Sequence, residues 1–255
     1  MNKPIVIIGI GEMAGVFARG FLRTGHPVYP ITREMNLEAE ANTIPNPEFV
    51  LVAVGEADLQ ATLQQIPSQW HDRLVLLQNE LLPRDWLTYP FTNLTIISVW
   101  FEKKKGQDAK VLLASPTFGP HANTIKQGLA SIGIACRVVD SAAEMQYELV
   151  RKNVYIVTTN IAGLKVDGNV FELWREHEAL VRAVASDVMD IQQALVNEAL
   201  PRERLIKGML EAFEADPAHK CMGRSAPARL QRALEQAGQT GLSVSSLKQI
   251  AGNQI

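Results

Sequence analysis

The chain has 255 residues, enough for one large domain or two ordinary ones at roughly 100–200 residues each. With 47% hydrophobic and 20% charged residues it has globular composition, which excludes a disordered or fibrous chain. A formal net charge of −2 leaves no electrostatic footprint for nucleic acid or an anionic membrane surface. Lys103-Lys104-Lys105 is the one basic cluster, and it reads as a solvated turn before Gly106. Two cysteines, Cys136 and Cys221, make neither a disulfide framework nor a metal site and fit a reducing compartment. No histidine has metal-ligand spacing with another His or Cys, so no metal is expected. The longest apolar runs are strand-sized, far short of the ~20 residues of a spanning helix. The N-terminal run passes straight into a glycine motif, unlike a signal peptide, and the expected location is cytoplasmic.

In chain order, Ile5 to Ile8 is a β-branched run of the kind found in a strand buried on both faces. Met13 to Thr24 has helical spacing, Gly25-His26-Pro27 breaks it, and Val28 to Ile31 is a second strand. Phe49 to Val54 is a third strand, Ala57 to Gln65 a helix, Arg73 to Leu77 a fourth strand and Leu94 to Trp100 a fifth. Val111 to Leu113, a helix from His121 to Ile132, and Ala135 to Val139 follow. This alternation implies a mainly parallel sheet with helices on both faces. From about Ser141 the pattern becomes helical throughout: 142–164, 170–199, 201–213, 226–237 and 243–250. The boundary is expected near residue 140, giving domains 1–140 and 141–255.

Gly9-Ile10-Gly11-Glu12-Met13-Ala14 has the form G-x-G-x-x-A. Gly9 allows a tight turn out of the strand, Gly11 lets the backbone approach a pyrophosphate, and Ala14 lets the helix pack close to the sheet. The pyrophosphate would then sit on the helix N-terminus, where free N–H groups favour negative charge. The flanking strand and amphipathic helix are the context that makes the motif a Rossmann dinucleotide site. Gly9, Gly11, Glu12, Met13 and Ala14 are therefore the expected cofactor contacts. The end of the second strand selects the cofactor. Thr32 and Arg33 suit a 2′-phosphate, which favours NADP; Glu34, one residue later, would suit NAD instead.

The first helix of the second half carries Glu148, Lys152, Ile156 and Asn160 at steps of four, one slowly turning stripe. Apolar residues surround it. A buried ammonium and amide there are costly unless they meet a partner or ligand. Lys152 is thus either a proton-transfer residue with a lowered pKa or a lysine that snorkels to solvent; spacing alone leaves both open.

On these motifs the chain resembles the ketopantoate reductases (2-dehydropantoate 2-reductases). They belong to a larger group that pairs a Rossmann domain with a helical domain like that of 6-phosphogluconate dehydrogenase. The Gly-x-Gly unit with Arg33 matches the family's NADP-binding start. Leu76-Leu77-Gln78-Asn79 is similar to its strand ending in an asparagine that holds the nicotinamide and substrate region. Phe118-Gly119-Pro120 resembles the strand end that closes its Rossmann domain. Glu148-Leu149-Val150-Arg151-Lys152 resembles the Glu-Leu-Trp-x-Lys segment whose lysine is the catalytic acid, and Asn160 falls on the second asparagine of that helix. The chain departs from the family at Ile156 (an asparagine there), at Gly55 (often a lysine) and at Cys221, within His219-Lys220-Cys221-Met222 (a serine there). The segment that should carry a substrate-binding glutamate is shortened; Glu235 is the nearest acid and is not assigned the role.

The resemblance implies an NADPH-dependent reductase of a small carbonyl compound, a 2-oxo acid. Lys152 would be the proton donor, Asn79 would hold the nicotinamide and substrate region, Asn160 would orient substrate or Lys152 by hydrogen bonding, and Glu148 would anchor or tune the ammonium. The expected fold is an α/β Rossmann-type doubly wound parallel sheet followed by an all-α domain. The expected partner is a small-molecule substrate, with no nucleic acid and no membrane; a homodimer is left open. Two other readings remain: another reductase of the same superfold, acting on an imine or hydroxy acid, and a non-catalytic NADP-binding protein.

Overall fold

The structure, a computed structural model, describes residues 2–252. It divides into two compact units, Met1–Leu149 and Val150–Ile255.

In the first unit, β1 (Ile5–Ile8) leads into α1 (Glu12–Arg23), β2 (Val28–Ile31) into α2 (Leu37–Thr43), and β3 (Val50–Val52) into α3 (Leu59–Leu63). β4 (Leu74–Leu76) and β5 (Thr95–Ile97) follow, then a separate hairpin of β6 (Phe101–Glu102) and β7 (Lys110–Val111). β8 (Ser115–Phe118), α4 (Ala122–Ser131) and β9 (Cys136–Val138) complete it. The main sheet runs β2-β1-β3-β4-β5-β8-β9. Its first five strands are parallel. Every residue of β1, β3 and β4 is buried, which is why these strands read as unbroken apolar runs without alternation. Ile7, Leu51, Val75 and Ile97 form one cluster with Phe17 and Phe21 of α1 and Ile125 and Leu129 of α4.

Parallel strands end on one edge. The register pairs Ile8 with Ile31 and Val52, and Val52 with Leu76, so Gly9, Thr32, Ala53 and Leu77 come level there. β8 runs antiparallel to β5, and β9 parallel to β8. The Phe118-Gly119-Pro120 segment therefore lies at the opposite edge, with Gly119 against Leu94 and Thr95.

Two local features depart from the sequence expectation. α2 has only Ala41 buried, so it shows no apolar period; it is set by Asn36, whose side chain accepts from Ala39 N at 3.0 Å. Of the strand expected at 111–113 only Val111 is in a strand, the last residue of β7, and β8 starts beyond it at Ser115. The Ser-Pro-Thr-Phe of β8 has no apolar run, and its neighbours β5 and β9 pair with it on both sides.

The second unit is helical. α5 (Ala142–Val166) runs across the division of the chain, followed by α6 (Val170–Val196), α7 (Arg202–Ala215), α8 (Ala226–Gln239) and α9 (Ser245–Gly252). α6 starts with a reciprocal cap: Asn169 accepts from Glu172 N, and the Glu172 carboxylate accepts from Asn169 N. Charged side chains tie the bundle. Arg151 of α5 donates to Gly208 O of α7 and pairs with Glu211 at 2.8 Å. Asp187 of α6, nearly buried, accepts from Ser246 N and Leu247 N and so caps α9. Among the described residues no helix is long and apolar enough to cross a membrane.

Candidate active site

The first unit carries a cradle made by backbone. Gly9 has φ +96°, and a Cβ there would stand 2.8 Å from Ala53 O, so only glycine can leave β1 in this direction. Gly11 is the N-cap of α1; no side chain caps it, and a Cβ built there would meet nothing within 4 Å. The first turn of α1, Glu12, Met13 and Ala14, thus opens on free space with its N–H groups outward. Ala14 is buried beneath the helix. A glycine turn without room for a Cβ, open space at the second glycine and an uncapped helix start fit a dinucleotide pyrophosphate.

Two further groups share this edge. Thr32 N lies 3.4 Å from Met35 Sδ and Thr32 O accepts from Met35 N, closing a turn that holds Arg33 and Glu34 exposed at its tip. Both residues follow closely on the end of β2. After β4, the buried Gln78 side chain donates to Val52 O and Val54 O and accepts from Leu77 N, fixing the loop that presents Asn79. Asn79 Nδ2 donates to Glu56 Oε1 at 2.8 Å. Glu56, not singled out by the sequence, sits in the loop that follows β3.

Lys103 is not merely a solvated turn residue. Its ammonium is 3.2 Å from Glu12 Oε2 and also donates to Lys104 O and Gln107 O, while Lys104 is mostly exposed. A cleft of about 790 Å³ lies beside this pair, lined in part by Gly11, Arg19, Val111 and Ile134. Phe101, at the root of the hairpin, packs on Phe17 of α1 at 6.0 Å between ring centroids.

α5 carries the polar stripe. Glu148 is buried and meets Arg137 Nη2 of β9 at 2.6 Å; the other terminal nitrogen, Nη1, reaches Glu144 at 3.3 Å. Lys152 is 7% exposed and Asn160 is 8% exposed, while Ile156 between them is partly exposed. Asn160 Nδ2 donates to Ile156 O at 2.8 Å, which fixes the amide so that Oδ1 accepts. Oδ1 takes Gly223 N at 3.2 Å and Arg229 Nη1 at 3.3 Å.

The segment around Cys221 is drawn against this helix. Cys221 N donates to Gly168 O, and Val170 N to His219 O. A Cβ on Gly163 would come within 3.0 Å of Cys221 Sγ, so the approach requires glycine. Burial pushes the Cys221 thiol above its ordinary pKa, with Asp167 adding to the shift. The neutral thiol is spent on the carbonyls of Asp167 and Gly168, at 3.1 and 3.2 Å. Arg229 is the residue the sequence reading missed. It lies on the apolar face of α8 with Ala226, Leu230, Ala233 and Ala237, and a charge at that register is the signal that marks it.

An open α/β sheet with a glycine cradle at its C-terminal edge, followed by a helical part led by one long helix, is the architecture of Rossmann-type dehydrogenases. Solved structures narrow it to the ketopantoate reductase fold, as expected from the motifs. The 2-dehydropantoate 2-reductase of Methylococcus capsulatus superposes with a TM-score of 0.70 at 14% identity, over 98% of this chain and 95% of that one. A D-mandelate dehydrogenase solved in complex with NADH gives 0.69 at 15% identity, over 98% and 96%. A dimeric ketopantoate reductase from Staphylococcus aureus gives 0.63 at 15% identity, over 98% and 98%. At these identities the likeness is one of fold. No protein-family model matches the chain, and no curated protein matches it in sequence.

Proposed function

We propose that the chain is an NADPH-dependent reductase of a small carbonyl compound, a 2-oxo acid, with Lys152 as the proton donor. The observation that carries this reading is the buried lysine of α5, in one stripe with Glu148 and Asn160, in a chain that also has a dinucleotide cradle. Gly9, Gly11, Glu12, Met13 and Ala14 would hold the pyrophosphate, Thr32 and Arg33 the 2′-phosphate, and Asn79 the nicotinamide end. The reduced cofactor, when bound, supplies a hydride to the carbonyl carbon. Lys152 stabilises the charge that grows on the carbonyl oxygen and donates the proton. Asn160, with its amide fixed, orients substrate. Glu148, one turn before Lys152, would anchor the ammonium or tune it.

We take 1–140 as the NADP-binding domain and 141–255 as the substrate domain, because α5 carries the whole stripe and starts at Ala142. The two free thiols suit a cytoplasmic setting, and a homodimer is the proposed assembly by analogy with the dimeric reductase of the same fold. A panel of 2-oxo acids and aldehydes, offered with NADPH while nicotinamide absorbance is followed, tests the proposal. Loss of absorbance that depends on a 2-oxo acid supports it; turnover restricted to imines or hydroxy acids contradicts the substrate class.

A further inference from the structure

We propose that Glu56 tunes the cofactor: its carboxylate favours the oxidised, positively charged nicotinamide over the reduced, neutral one, and so assists departure of the hydride. This rests on the reductase reading and deepens its cofactor half. The sheet order sets the direction in which a dinucleotide lies. The glycine cradle follows β1, and Thr32 and Arg33 follow β2 on one side of it. With the 2′-phosphate of the adenosine at β2 and the pyrophosphate at the start of α1, the nicotinamide half extends the other way. It then passes over the ends of β3 and β4, ~5–10 Å from β1 at the usual strand spacing.

The loops at those two strand ends carry Glu56 and Asn79, and they are tied to the cradle. A Cβ on Gly9 would stand 2.8 Å from Ala53 O and 3.4 Å from Val54 Cγ1, so the glycine turn lies against the end of β3. Gln78 joins the two loops, donating to Val54 O at 3.2 Å and accepting from Leu77 N at 3.1 Å. Glu80, next after Asn79, has a left-handed φ of +58°, rare for a glutamate, so these bonds rather than local preference hold the loop. A carboxylate can only accept. The 2.8 Å bond from Asn79 to Glu56 therefore takes the amide nitrogen and leaves Oδ1 as an acceptor, the match for the amide N–H of a nicotinamide.

The charge at this edge has one sign. Neither loop, 53–58 or 77–82, contains a lysine or arginine, while Glu56, Asp58 and Glu80 are acidic. A reduced nicotinamide offers such a carboxylate no charge; an oxidised one offers a full positive charge. As the C–H electron pair passes to the carbonyl carbon, Glu56 stabilises the positive charge that grows on the ring, and Lys152 supplies the proton to the carbonyl oxygen.

The test is the dissociation constants of NADPH and NADP+, measured by calorimetry on wild-type, Glu56→Gln and Glu56→Ala proteins. Glu56→Gln keeps an acceptor for Asn79 and removes the charge. It should weaken NADP+ by about 3- to 10-fold, leave NADPH within about 2-fold, and lower kcat for carbonyl reduction. Glu56→Ala also releases Asn79 and should weaken both forms. An equal change in both forms with Glu56→Gln, or no change in either, overturns the inference while leaving the dinucleotide cradle intact. A wild type that binds neither form overturns the cofactor reading and this inference with it. The expected shift in binding, in a protein that reduces no carbonyl compound, supports the electrostatic assignment and overturns the reductase reading alone.

Discussion

The cradle of the first unit and the stripe of α5 are built from different material. At the cradle the groups proposed to bind are backbone N–H groups, and the side chains matter chiefly by being absent: Gly9 has no room for a Cβ, and Gly11 faces open space. On α5 the groups proposed to act are side chains, and their geometry comes from other elements: Arg137 of β9 for Glu148, and the distant Gly223 and Arg229 for Asn160. A backbone site tolerates change nearly everywhere except at its glycines. A side-chain site can keep its frame and change its substrate through a few positions; in the proposed reading Ile156 and Cys221 would be such positions.

The sharpest way to break this contrast is at the two glycines. Gly9→Ala forces an alanine to a left-handed φ against Ala53 O, at a cost of about 1–3 kcal/mol from the backbone alone. It should lower the melting temperature and abolish saturable NADPH binding. Gly11→Ala adds a Cβ into open space; it should leave the melting temperature unchanged and weaken only the binding. If both variants behave alike in a thermal scan and a fluorescence titration, the division between fold and cradle at these positions is wrong.

Arg33→Ala should weaken NADPH binding by about 1.5–3 kcal/mol and NADH binding hardly at all, as read by calorimetry. Equal binding of both cofactors by wild type would move the role to Glu34, exposed in the same turn.

A smaller effect sharpens the side-chain half. A site built to pair a hydroxyl can discriminate by ~10⁴, but here Ile156 offers none of that pairing and the Cys221 thiol is turned to backbone carbonyls. Ketopantoate should therefore be a poorer substrate than its deoxy analogue, the same branched skeleton without the terminal hydroxyl. A win for ketopantoate by ~10-fold or more in kcat/KM would mean that another residue supplies the contact.

These differences explain what could be read from the sequence. β1, β3 and β4 are buried on both faces and announce themselves as apolar runs, and the glycine motif is contiguous, so cradle and sheet are legible locally. The five helices of the second unit follow from their period. β8 is not legible, because a Ser-Pro-Thr-Phe strand is buried by its neighbours rather than by its own apolarity. The partners of Asn160 are 63 and 69 residues away, and no spacing rule reaches them. Arg229 could have been noticed only as a charge on the apolar register of α8.

The smallest effect belongs to Cys136. Burial pushes its thiol from an ordinary 9.0 up to about 11, so the folded state holds a proton that the unfolded state loses first. Its contribution to stability is full below pH 9.0 and is lost as pH rises towards about 11. Unfolding curves of wild type and Cys136→Ala should diverge in that interval, and alkylation of the folded thiol at neutral pH should be much slower than after unfolding.

Lys152→Ala is the most direct test, read by NADPH titration and by turnover on whichever 2-oxo acid the wild type reduces best. The expected result is wild-type NADPH affinity with turnover lower by ~10²–10⁴, the typical yield of acid–base catalysis. Turnover near the wild-type rate, or loss of NADPH binding together with activity, would contradict the assignment of cofactor to the backbone cradle and chemistry to the lysine of α5.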